Sequence, residues 1–107
     1  MTQSELESTL KSLGYPVEYS NFKKAQSLPF IVYYRIDETN ISSDKKIHGK
    51  YINYKVELYT NKKDISLEHS VEAILEGIDS DYKTSEAYIE SEKMYQIVYE
   101  IKVIERR

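Results

Sequence analysis

Between Tyr51 and Thr60 the chain alternates without a break. Ile52, Tyr54, Val56 and Leu58 fall on one side, and Asn53, Lys55, Glu57 and Tyr59 on the other. A period of two with one apolar and one wet side predicts an antiparallel strand lying on a core. After the turn Asn61-Lys62-Lys63-Asp64 the period changes. Leu67, Val71, Ile74, Leu75 and Ile78 recur at helical spacing, behind Ser66 as the expected N-cap and with Glu68 in the first turn. A strand and a helix that each carry one apolar surface must bury those surfaces against one another, which points to an α+β layer architecture.

The rest of the chain extends that pattern. Ser4 and Glu7 have capping-box spacing, Leu6, Leu10 and Leu13 form one stripe, and Gly14 and Pro16 stop a helix over about residues 4–13. Val17 to Phe22 reads as an edge strand or an extended lead-in, followed by a polar connector from Lys23 to Ser27. Pro29 opens a strand through Ile36, with Phe30, Val32, Tyr34 and Ile36 on one face and Ile31, Tyr33 and Arg35 on the other. Residues 37–50 show no period and exceed the usual connection of about 4–6 residues, so they are expected to form a mobile loop. Tyr82 to Ser91 and Met94 to Ile104 read as a hairpin with its tip at Glu92-Lys93. The expected order is α-β-β-β-α-β-β. It corresponds to one domain over residues 1–107, with a mostly antiparallel sheet of four to five strands and two helices packed on it.

Composition narrows the function classes. Hydrophobic residues make up 40% of the 107, enough to bury a core and to argue against wholesale disorder. Cysteine is absent, which removes disulfides, thiolate nucleophiles and Cys-ligated metals. The net charge of −3 lacks the basic excess of a dedicated duplex-DNA binder. The first 30 residues hold no apolar core of a signal peptide, and no stretch approaches the ~20 apolar residues of a membrane span. The chain is therefore expected to stay in the compartment where it is made.

Side chains that carry chemistry are sparse. His48 sits in the polar segment beside Gly49, and His69 points away from the helical stripe, each without a nucleophile or ligand set at suitable spacing. The three glycines, Gly14, Gly49 and Gly77, form no phosphate loop. We therefore assign no catalytic, metal or cofactor-binding residue. Lys23-Lys24, Lys45-Lys46 and Lys62-Lys63 fall in expected turns, and beside tyrosines they suit phosphate contact and base stacking.

The more informative surplus is 11 tyrosines against 2 phenylalanines. Tyr34, Tyr54, Tyr95 and Tyr99 fall on expected core faces. Tyr33, Tyr51, Tyr59 and Tyr88 fall on the opposite faces. Exposed tyrosines on a small sheet suit a protein interface, although helix cover within the chain would serve equally. With the charged residues of the long segment, the interface candidates are Tyr33, Arg35, Tyr51, Tyr59, Asp37, Glu38, Asp44, Lys45, Lys46 and His48.

Four segments in order carry a family resemblance. They are Leu13-Gly14-Tyr15-Pro16-Val17, Leu28-Pro29-Phe30-Ile31-Val32-Tyr33-Tyr34, Asn53-Tyr54-Lys55-Val56-Glu57-Leu58-Tyr59-Thr60, and Glu92-Lys93-Met94-Tyr95-Gln96-Ile97-Val98-Tyr99-Glu100. Over nearly its whole length the chain resembles the tail-terminator, or tail-completion, group of head–tail joining proteins. These belong to long-tailed phages and prophages of Gram-positive bacteria. The resemblance implies an α+β protein without catalytic residues that forms a hexameric ring at the head-proximal end of the tail tube. Its implied partners are copies of itself, the tail tube protein and the head-completion or connector protein. Nucleic acid would enter only as DNA passing through the ring. The implied location is the virion, and the host cytoplasm during assembly. The alternative function is a small nucleic-acid-associated or adaptor protein that uses the basic turns and exposed tyrosines.

Overall fold

The structure is a computed structural model that describes residues 1–22 and 26–107. The doublet Lys23-Lys24 lies outside the described residues. Helix α1 (Gln3–Lys11) is followed by β1 (Val17–Tyr19), β2 (Phe30–Ser43), β3 (Lys46–Thr60), α2 (Ile65–Glu76), β4 (Lys83–Ile89) and β5 (Met94–Arg106). The fold is α+β in the expected order. One mixed five-stranded sheet runs β1-β2-β3-β5-β4, with β1 parallel to β2 and the other pairs antiparallel.

Both helices lie on one face of the sheet. Leu6 and Leu10 of α1 and Leu67, Val71 and Leu75 of α2 pack with Ile31, Tyr33, Tyr54, Val56, Leu58, Ile97 and Tyr99 in one buried cluster. Each such aliphatic side chain contributes roughly 1.5–3 kcal/mol by leaving water. The caps sit earlier than the spacing predicts. Thr2, not Ser4, caps α1 and forms a reciprocal box with Glu5, and Asp64, not Ser66, caps α2 by accepting from the Leu67 amide. In each case the residue used is the one that aims its oxygen at the free amides of the first turn while keeping the leucines on the sheet.

Two expectations are corrected. Tyr33 is a core residue, 1% exposed, whereas Tyr34 stands half-buried on the helix-free face. The two faces of β2 are similarly apolar, so periodicity alone cannot choose between them. The choice follows from α1, whose Glu7 accepts the Tyr33 hydroxyl at 2.8 Å. Residues 37–50 are not an irregular loop. They continue β2 and β3 as a paired hairpin that closes on Asp44-Lys45. Neither face of that ribbon is covered by a helix, so burial imposed no alternation for the sequence to display. Its strands are held by backbone hydrogen bonds, which do not depend on side-chain type.

The hairpin gives the molecule its length. The principal extents are 52 × 28 × 24 Å and the radius of gyration is 15.0 Å, against about 13 Å for a compact chain of this size. Among the described residues no helix is long and apolar enough to cross a membrane.

Candidate assembly surface

The projecting ribbon is built from the distal halves of β2 and β3, flanked by the end of β5. At its tip Asp44 and Lys45 have φ of 49° and 62°, the paired left-handed geometry of a two-residue turn that matches strand twist. Ser43 Oγ and His48 Nε2 lie 2.8 Å apart across the strands, and the Arg107 amide donates to the His48 carbonyl at 2.9 Å. Strand β5 accompanies β3 as far as the pair Gly49 and Arg106. The base of the ribbon is therefore three strands wide.

Eight of the ten sequence candidates gather on this arm: Arg35, Asp37, Glu38, Asp44, Lys45, Lys46, His48 and Tyr51. On its helix-side face Glu38 accepts from Arg35 at 2.8 Å and pairs with Lys50 at 3.2 Å. The Lys50 hydrogen bond, with the Arg35 charge adding, holds the Glu38 carboxyl below its ordinary range. On the other face Asp37 accepts from Asn53, and the Lys102 ammonium sits 5.4 Å from the centre of the Tyr51 ring. These pairs are exposed and fix side-chain directions more than they stabilise the fold.

Tyr33 and Tyr59 do not join the arm. Tyr33 is buried under α1. Tyr59 lies towards the other end of the sheet on the helix-free face, where it stacks on Phe30 at 5.0 Å, and Phe30 meets Phe22 edge-on at 5.4 Å. The Tyr59 hydroxyl donates to Glu57 at 2.8 Å and accepts from Gln96 at 2.9 Å. Burial first, and then the Glu57 carboxylate, push its pKa up to about 12.

The arm also holds residues that sequence reasoning missed. Of seven large apolar side chains left exposed among the described residues, Ile36, Ile47 and Ile104 are on it, beside the expected Tyr51. Ile36 is the extra residue where the β2–β3 register shifts, and Ile104 stands opposite Tyr51. Arg106, paired with Gly49, and Arg107, bonded to the His48 carbonyl, bring two more basic residues to the base of the arm. The sequence signal for the arm was weak, because only Ile41 and Ile47 mark the hairpin beyond Ile36.

The other basic doublet behaves differently. Lys63 is held between Glu68 and Glu86, tying the start of α2 to β4. On the helix-free face a shallow groove of about 460 Å³ interleaves Asp79, Asp81, Lys83, Glu100 and Lys102. Asp79 accepts the Lys102 amide there at 2.8 Å, and so caps β5 beyond the end of β4. Among the described residues no three His, Asp or Glu side chains converge in a way that could hold a metal ion. No known family model matches the chain, and no curated protein matches it.

Proposed function

We propose that this chain is a structural assembly protein of the tail-terminator type. It would cap a phage tail tube and join it to the head connector as a ring of identical copies, without catalysis. The observation that carries the reading is the arm, which concentrates exposed apolar side chains and cations on a paired ribbon away from the core. Apolar surface held out in water in this way is characteristic of a protein contact. A contact between unlike surfaces of identical subunits closes into a ring when the rotation permits. The resemblance of strand and helix segments to tail-completion proteins supplies the partners, namely the tube protein on one side and the connector on the other. In this reading the protein works in the virion and reaches it from the host cytoplasm.

The test is solution mass by light scattering over a wide concentration range, alone and with tail tube protein, with negative-stain images of the most concentrated samples. Rings of defined copy number, or caps on tube ends, are the expected result. A monomer that neither self-associates nor binds tubes overturns the reading.

The basic residues of the arm favour one second reading, contact with nucleic acid through Lys45 and Lys46 at its tip and Arg106 and Arg107 at its base. Such binding would weaken steeply with salt. A fluorescence anisotropy titration against duplex DNA at two salt concentrations separates the two readings.

A further inference from the structure

The sheet ends in two edges whose backbone groups face outward, and their directions can be read from the hydrogen bonds. On β2 the Ile31 amide donates to Pro16 and the Tyr33 carbonyl accepts from Ser20, so odd-numbered residues face the outer edge there. Pairing with β1 ends at Tyr33, and the Arg35 amide is taken by the Tyr19 hydroxyl. The extra residue at Ile36 then reverses the parity. Beyond it Glu38, Asn40 and Ser42 turn their amides and carbonyls away from β3. On the far side of the sheet the Lys102 amide points towards the β4 side, so the even residues of β5 bond to Lys83, Ser85 and Ala87. Thr84, Glu86 and Tyr88 therefore present their backbone groups outward.

We propose that copies of this chain join by strand addition, the outer edge of β2 at Glu38–Ser42 in one copy pairing antiparallel with the outer edge of β4 in the next. The inference rests on the reading that the protein self-assembles, and it names the surfaces that do so. Three observations select a second copy as the occupant. Strand polarity fits: β2 and β5 run one way and β3 and β4 the other, so a neighbour that keeps the same face forward meets β4 with an antiparallel β2. Length fits: β4 has 7 residues, and β2 continues from Tyr34 to Ser43 beyond the end of β1. Neither stretch carries a proline to block pairing. The two edges lie at opposite ends of one sheet, so each copy has one of each. The contact is head-to-tail and propagates until it closes.

Proline at an outward-facing amide removes an intermolecular donor without breaking the ladder inside the chain. Asn40→Pro and Thr84→Pro are made with Asn40→Ala and Thr84→Ala as controls that keep the amide, and all are run with the wild type by analytical ultracentrifugation up to millimolar concentration. The wild type and the alanine variants are expected to assemble, and each proline variant to associate roughly 100-fold more weakly, since several backbone hydrogen bonds go together. An equimolar mixture of the two proline variants should stop at a dimer, because each supplies one intact edge. Proline variants that assemble like the wild type overturn strand addition and leave the assembly reading standing, whereas a wild type that stays monomeric both alone and with tail tube protein overturns both. Because the chain has no cysteine, Asn40→Cys mixed with Thr84→Cys gives a second measurement that does not depend on proline being tolerated. A short bis-maleimide, which alkylates one cysteine thiol at each end, should link the unlike variants in preference to like ones, and absence of that preference also counts against the proposal.

Discussion

Gly49 faces the backbone of Glu105 so closely that a Cβ on Gly49 would stand 2.5 Å from the Glu105 carbonyl oxygen. The glycine also has φ of +158°, at the margin of the region L side chains avoid. This approach lets β5 run beside β3 to the base of the arm and makes the base three strands wide. Gly49→Ala should cost about 1–3 kcal/mol through overpacking and backbone strain. A urea midpoint measures the cost. Amide exchange at Arg107, whose amide donates to the His48 carbonyl, should rise, while amides of Ile97 and Tyr99 keep their protection. Unchanged exchange at the end of β5 would show that the close approach is not needed there.

The Tyr33 hydroxyl ties β2 to α1 through Glu7. Tyr33→Phe keeps the ring and leaves the carboxylate to water, so the loss should be about 1.5 kcal/mol, the lower range for a hydrogen bond to a charged group. Glu7→Gln should cost less, because an amide oxygen still accepts. Equal stability of Tyr33→Phe and wild type in a denaturant titration would place the weight on ring packing alone.

Tyr59 predicts behaviour at alkaline pH. Its pKa in the fold, up to about 12, lies above the ordinary value near ~10. The neutral phenol is therefore favoured by folding. That contribution is complete below the unfolded value and is lost as pH rises through the folded one. An ultraviolet titration of wild type against Tyr59→Phe should show the missing phenol ionising near pH 12. Glu57→Gln should bring it part of the way back, since burial, the larger cause, remains. A midpoint near the ordinary tyrosine value would contradict the stacked, half-buried ring.

Residues 40–47 carry no buried side chain. Replacing them with a short Gly/Ser linker should leave the monomer folded by circular dichroism, less the signal of the removed strand ends, and, on the proposed function, abolish joining of tail to head. An unfolded product would show that the arm is needed for folding. Full joining activity would remove it from assembly.

Much of this fold was legible because burial writes periods into sequence. Leu67, Val71 and Leu75, and the alternation from Ile52 to Leu58, announced their elements, since one side of each had to be apolar and the other could not be. The arm escaped because nothing covers it. Thr39, Asn40 and Ser42 are polar where an edge strand tolerates any residue, and pairing there is carried by backbone groups common to all sequences. The candidate surface was half legible for the same reason. Asp37, Glu38, Lys45 and Lys46 stood out as charged residues in a segment without a period. Arg106 and Ile104, distant in the chain, joined them only through the register of β5 on β3.

The amino-acid order by itself determined the elements outside the arm, their succession and the inward faces of β3, α2 and β5, because in each the buried apolar residues recur on one side. Tertiary structure alone decided which face of β2 is the core and where the free edges lie. Ile31 and Tyr33 could be buried as well as Phe30 and Val32 until α1 came to rest on one side. An edge is defined not by its own residues but by the strand that is missing beside it.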